Sequence, residues 1–188
     1  MRKMKSRRMA SLQTSLEIHR KAVERLVAAV NAVPIDRWGA PYREGNWSPG
    51  EISAHLVAVW DVVLAELGGS PGMAIRTRWW QRVVLRLTIV PRILAGGAFP
   101  KARAPRETRP AQPISDSYQA ERAIRERAAD FERQSEAAAA NGRQITHAYF
   151  GKAPVSDGAL LVARHIEHHT AQIEEAASRG RGAGSADR

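Results

Sequence analysis

The stretch NWSPGEISAHLVAVWDVVLAEL, residues 46–67, decides how the rest of the chain is read. Ser48 can accept one of the backbone amides that every helix start leaves unpaired. Pro49 already has the backbone angle of a first turn, and Glu51 completes an S-x-x-E capping box. Beyond that start, Ile52, His55, Leu56, Val59 and Val63 recur at intervals of three and four, so they share one face of a helix. GGSPG at 68–72 ends it. A capped, amphipathic helix of this kind predicts packing into a larger helical body, with His55 set among aliphatic neighbours.

Helical spacing continues on both sides. Over 11–32, Leu12, Leu16, Val23, Leu26, Val27 and Val30 form a stripe that includes His19, and Pro34 breaks the pattern by disfavouring helical geometry at Val33. Downstream, Ser115 or Asp116 can cap a helix that points Tyr118, Ile124, Ala128 and Phe131 inward, closed by Asn141-Gly142. Ser156 or Asp157 can cap a last helix running to about Ser178. The connection RQITHAYFGKAPV lies between these two, and no alternating run argues for a sheet. The segment 73–114 reads as a basic amphipathic helix interrupted at Pro91, followed by a Pro-rich extended stretch. The expected fold is all-α, a four-helix bundle with a long basic connection between helices 2 and 3. Its parts are a basic arm over 1–10, a bundle over 11–178 with the crossover at 73–114, and a disordered tail over 179–188.

At 188 residues and 44% hydrophobic, the chain can bury one real core. It has no cysteine, which excludes disulfides, thiolate metal sites and a thiol nucleophile of its own. No uninterrupted apolar run reaches the roughly 18–20 residues that cross a bilayer. The basic start leads into SLQTSLEIHRK and not into an apolar segment, so no secretory signal is expected and the cytoplasm is the expected location.

The net charge of +10 is unevenly placed. Residues 1–25 hold eight Lys/Arg against two Glu, and residues 76–109 hold nine against the single Glu107. Such patches suit phosphates or acidic surfaces. No nucleic-acid motif accompanies the charge, so sequence-specific nucleic-acid binding is not expected. The stretch RTRWWQRVVLRLTIVPRIL could lie on an anionic membrane, although covering the protein's own bundle is the expected use of its aromatics. An exposed bundle face makes a homodimer the expected assembly.

The last helix contains ARHIEHHTAQIEE, residues 163–175. At about 100° per residue, His169 falls about 40° from His165, and Val162, Ile166 and Ile173 lie within about 100° on the same side. His165 and His169 therefore face the core one turn apart, while His168 sits at the edge, with exposure expected. An i, i+4 pair can grip a metal ion from one helix, and it can equally be a pair of satisfied core groups. His55, inward on its own helix, would supply a third imidazole and leave a coordination position open. Zinc is the first expectation for His55, His165 and His169, with nickel, iron and manganese also suited to imidazole. His19 is expected to hydrogen-bond a neighbour, with a fourth-ligand role as the lesser alternative, and His147 to lie at the surface or at the rim of the site.

Other architectures fit less well. None of the six histidines has Glu three residues before it, as di-iron carboxylate bundles require. HIEHH lacks the H-E-x-x-H order, and no phosphate loop, G-x-G-x-x-G or G-x-S-x-G is present.

NWSPGEISAHLVAVWDVVL together with HAYFGKAPVSDGALLVARHIEHHTAQI resembles the DinB/YfiT-like superfamily of small bacterial metal-binding bundles. The former stretch is similar to that family's Trp followed by a capped helix with one ligand histidine. The latter is similar to its aromatic-Gly turn and H-x-x-x-H helix ending in HH..QI. The resemblance places the family's triad on His55, His165 and His169, and the basic 73–114 segment departs from the family's minimal form. It implies a divalent metal ion and a small-molecule substrate. The activities it implies are transfer to a low-molecular-weight thiol of the bacillithiol or mycothiol type, isomerisation dependent on mycothiol, or metal-dependent hydrolysis. Arginines of 76–109, with Arg92 and Arg103 as examples, could hold the thiol's carboxylates, with a solvated surface position the expectation for any single one. The acids Glu51, Asp61 and Glu167 are expected to point outward, which weakens hydrolysis. A bundle that binds metal without turnover, or a basic interaction module, is the non-enzymatic alternative.

Overall fold

Ser48 starts the helix that anchors the fold: its hydroxyl accepts from the Glu51 amide, and the Glu51 carboxylate accepts from the Ser48 amide at 2.8 Å. The computed structural model describes the backbone of residues 2–41, 43–99 and 103–183, and the side chains of 11–41, 43–99 and 103–178. Its helices are α1 (Arg2–Asn31), α2 (Pro49–Leu67), α3 (Trp79–Leu94), α4 (Ser117–Ala140) and α5 (Val155–Ala183). Helix α1 lies along α5 and α4, and α2 lies along α4 and α5, so these four enclose the core. Leu16, Leu26, Trp60, Phe131, Ile166 and Ile173 fill it with no exposed surface to speak of. Each such side chain contributes about 1.5–3 kcal/mol by leaving water. The chain folds as the all-α bundle expected of it.

Helix α3 stands apart. It touches α5, and its one fully buried residue, Ile93, lies outside the main core. Pro91 does not interrupt it as expected: the helix runs one turn further and closes with the Ala95 amide on the Pro91 carbonyl. A proline in the last turn removes one amide only, and the exposed side of α3 leaves the displaced carbonyl to water.

The rest of the connection returns over α2. The Trp38 indole donates to the Ile114 carbonyl at 2.7 Å, the Ile114 amide to Gly50, and the Gly50 amide to Trp38. A side chain at Gly50 would sit 2.6 Å from that Ile114 carbonyl, so glycine is what lets the three strands of chain meet. A short 3-10 turn, Arg106–Thr108, is thereby laid against α2.

Several expectations are corrected. Residues 144–154 form an antiparallel hairpin, β1 (Gln144–His147) and β2 (Gly151–Pro154), with His147 opposite Gly151. Four-residue strands carry too little alternation to be read in sequence, and this hairpin is held from outside: Glu66 of α2 accepts from the Thr146 amide and hydroxyl. Tyr118 is 75% exposed, because it lies six residues, and so about 120°, from the stripe of Ile124; Ala120 is buried there instead. Helix α5 begins at Val155, so Ser156 and Asp157 lie in its first turn and do not precede it. Helix α1 begins at Arg2, which makes the expected arm backbone-continuous with it. Helix α5 reaches Ala183, so 179–183 are helical where disorder was expected, and 184–188 lie outside the described residues. Among the described residues no helix is long and apolar enough to cross a membrane.

Candidate metal centre

Helix α2 presents His55, and helix α5 presents His165 and His169 one turn apart. Their rings converge, with centroids 5.2 Å apart for His55 and His165, 4.9 Å for His55 and His169, and 4.6 Å for His165 and His169. One nitrogen of each lies within 4.8 Å of the others, so the three could hold one metal ion. Nitrogen ligands sit about 2.0–2.1 Å from zinc, so two of them on one ion lie no more than about 4 Å apart; His55 and His165 already meet that limit at 2.9 Å.

The partners of the outer ring nitrogens fix the rest. His55 Nδ1 lies 2.6 Å from the Thr108 carbonyl, which can only accept, so Nδ1 carries the proton and Nε2 keeps its lone pair. His169 Nδ1 lies 2.7 Å from Gln172 Oε1 and donates to it in the same way. His55 Nε2 then faces His165 Nε2 at 2.9 Å. Carbonyl and amide oxygens holding the outer nitrogens of imidazoles that point inward is the arrangement metal-ligating histidines need.

Electrostatics agree with a neutral cluster. Burial, first of all, pushes His55, His165 and His169 below the ordinary histidine value, and the neighbouring imidazoles add to the effect; His169 falls to about 3. Neutral imidazoles offer lone pairs where imidazolium would repel a cation. Trp47, just ahead of the Ser48 cap, packs on His55 and His169, and Phe99 packs on His165 and His168. These rings flank the cluster on two sides.

The triad opens on a cavity of about 900 Å³ whose wall includes Arg86, Arg103, Arg109, Lys152 and Tyr149. Arg92, the other arginine named as an example from the sequence, is exposed and not in that wall. Helical phase explains it: Arg86 and Arg92 differ by six residues, about 120° away from a common face. Among the described residues Asp157 is the one acid of the wall. Glu51 is committed to the α2 cap, Asp61 to Arg127 and Glu167 to Arg164.

The remaining histidines divide. His19 is buried in the core, accepting from the Trp60 indole at 3.2 Å and lying 3.3 Å from Glu132, so it is a satisfied core group. His168 is half-covered and borders the cavity. His147 also lines it: the hairpin points Nδ1 at the Tyr149 and Phe150 amides, and burial lowers it to about 4. It is thus a neutral ring with its proton on Nε2. Thr108 and Gln172, which orient two of the three histidines, carried no sequence signal of their own beyond the family-like QI ending.

A helical bundle with three converging, inward-held imidazoles beside a cavity fits a metal-binding bundle. The family model of the DinB superfamily matches residues 17–173, most of the chain, and the chain belongs to that superfamily. Neither the curated proteins nor the solved structures give a match to it.

Proposed function

We propose that the protein is a divalent-metal-dependent enzyme that joins a low-molecular-weight thiol to an electrophilic small molecule, with His55, His165 and His169 as the ligands. The observation that carries this reading is the neutral triad opening on a large cavity with a cationic wall. A bound divalent ion would supply Lewis acidity that lowers the pKa of a thiol. The chain has no cysteine, so the sulfur nucleophile has to arrive as a co-substrate. Arg86, Arg103, Arg109 and Lys152 are placed to receive the carboxylates of such a thiol. His147 adds a fixed N–H donor at the same wall. Zinc suits three imidazoles first, and nickel, iron and manganese remain compatible.

Hydrolysis is the alternative, and Asp157 favours it as the one acid among the described residues of the wall. A generic electrophile such as monochlorobimane, offered with bacillithiol or mycothiol, tests the transfer reaction. Thiol-dependent turnover lost in His169→Ala supports transfer. Ester or amide cleavage without any thiol would replace it with hydrolysis.

A further inference from the structure

Helix α3 turns its apolar side outward. Trp79 is 71% exposed and Leu87 74%, and Trp80, Val83 and Val84 are each about half exposed. These aromatics do not cover the bundle as expected; the opposite side of α3 does so, through Ile93, Ile89 and Leu85. At about 100° per residue, Trp79, Val83, Leu87, Trp80 and Val84 span a continuous arc of about 140°. Arg86 borders one edge of the arc and Arg92 lies beyond the other. Among the described residues neither these two nor Arg78 forms an ion pair. The sequence has no acidic residue between Glu66 and Glu107.

We propose that α3 is a docking element for an anionic lipid surface, lying in the plane of the bilayer with Trp79, Trp80, Val83, Val84 and Leu87 inserted at headgroup depth. Two tryptophans at the start of an otherwise aliphatic face suit the boundary between headgroups and acyl chains. Arg78 and Arg92, both exposed and outside the cavity wall, can put their guanidinium groups among the lipid phosphates, while Arg86 stays with the cavity. A second copy of the chain fits less well. A two-fold pair would set this surface against itself, and the segment 76–109 carries nine basic residues against one acid. A nucleic acid would pair with the arginines but leave the tryptophans and leucine wet. The docked helix also gives Arg86, Val90 and Leu94 to the cavity wall, so the cavity would stand within about one helix diameter, ~10 Å, of the lipid.

Co-sedimentation of the full chain with vesicles tests this. Vesicles of phosphatidylcholine with about a third phosphatidylglycerol should carry the protein down, and vesicles of phosphatidylcholine alone should not. Binding should fall by about tenfold or more in Trp79→Ser/Trp80→Ser and in Leu87→Glu, changes at exposed positions that leave the core intact. Binding to anionic vesicles that neither variant diminishes would overturn the proposal, because charge elsewhere would then account for it. So would a failure of the wild-type chain to bind at low salt. A lipid-free dimer in analytical ultracentrifugation that Leu87→Glu dissolves would assign the face to a second copy instead.

Discussion

His55 donates its Nδ1 proton to the backbone carbonyl of Thr108, 2.6 Å away, across a separation of 53 residues. A side chain on α2 is thus oriented by the long connection and not by its own helix. That carbonyl sits where it does because Trp38, Gly50 and Ile114 lock the returning chain onto the start of α2. The orientation leaves Nε2 as a lone pair facing His165 Nε2 at 2.9 Å, free to accept from it or to ligate a cation.

Gln172 plays for His169 the part Thr108 plays for His55. Gln172→Ala should leave the fold intact and weaken zinc affinity by about 10–100-fold, the usual cost of losing such a support. Competition against a chromophoric chelator reads this directly. Unchanged affinity would show that the Gln172 contact does not orient a ligand.

Acid should destabilise the metal-free protein. In the folded chain burial holds His147 at about 4, His169 at about 3 and His165 well below the ordinary value of 6.5. The unfolded chain takes up these protons first, so stability is complete above about pH 6.5 and is lost as pH falls toward 4. Each group contributes up to about 1.4 kcal/mol per pH unit crossed in that window. Urea midpoints of the chelated protein at neutral and mildly acid pH give the slope. His147→Asn, whose side-chain oxygen can accept the same two amides, should make it shallower.

Gly50→Ala should cost about 1–3 kcal/mol, since the new methyl meets the Ile114 carbonyl and the backbone there has to give. Because the same contact seats the Arg106–Thr108 turn, metal affinity should fall along with the thermal midpoint. A variant as stable as the wild type would mean the connection is not locked by this approach.

Ser48→Ala should lower stability by about 1 kcal/mol by removing the acceptor for the Glu51 amide. Chemical denaturation measures it, and a neutral outcome would show that the Glu51 half of the capping box suffices.

What is legible in the sequence follows from local rules. The α2 start can be read because its capping residues are adjacent, and the inward pair His165 and His169 because helical phase is fixed by spacing alone. The convergence of His55 with that pair depends on which helices pack together, which periodicity does not specify. The hairpin is not legible because Glu66, far away in sequence, supplies much of its support. The exposure of Trp79 and Trp80 is hidden for a related reason. Amphipathicity shows that α3 has two faces, and both of its faces are apolar enough to be taken as the inner one.

The central claim, one cation shared by His55, His165 and His169, is tested most directly by elemental analysis of the purified chain beside His55→Ala and His169→Ala. About one divalent ion per chain is expected in the parent, with a sharp loss in each variant, as removal of one of three protein ligands dictates. Equal metal content in all three proteins would contradict the assignment and leave the cluster as a set of neutral, hydrogen-bonded histidines beside the cavity.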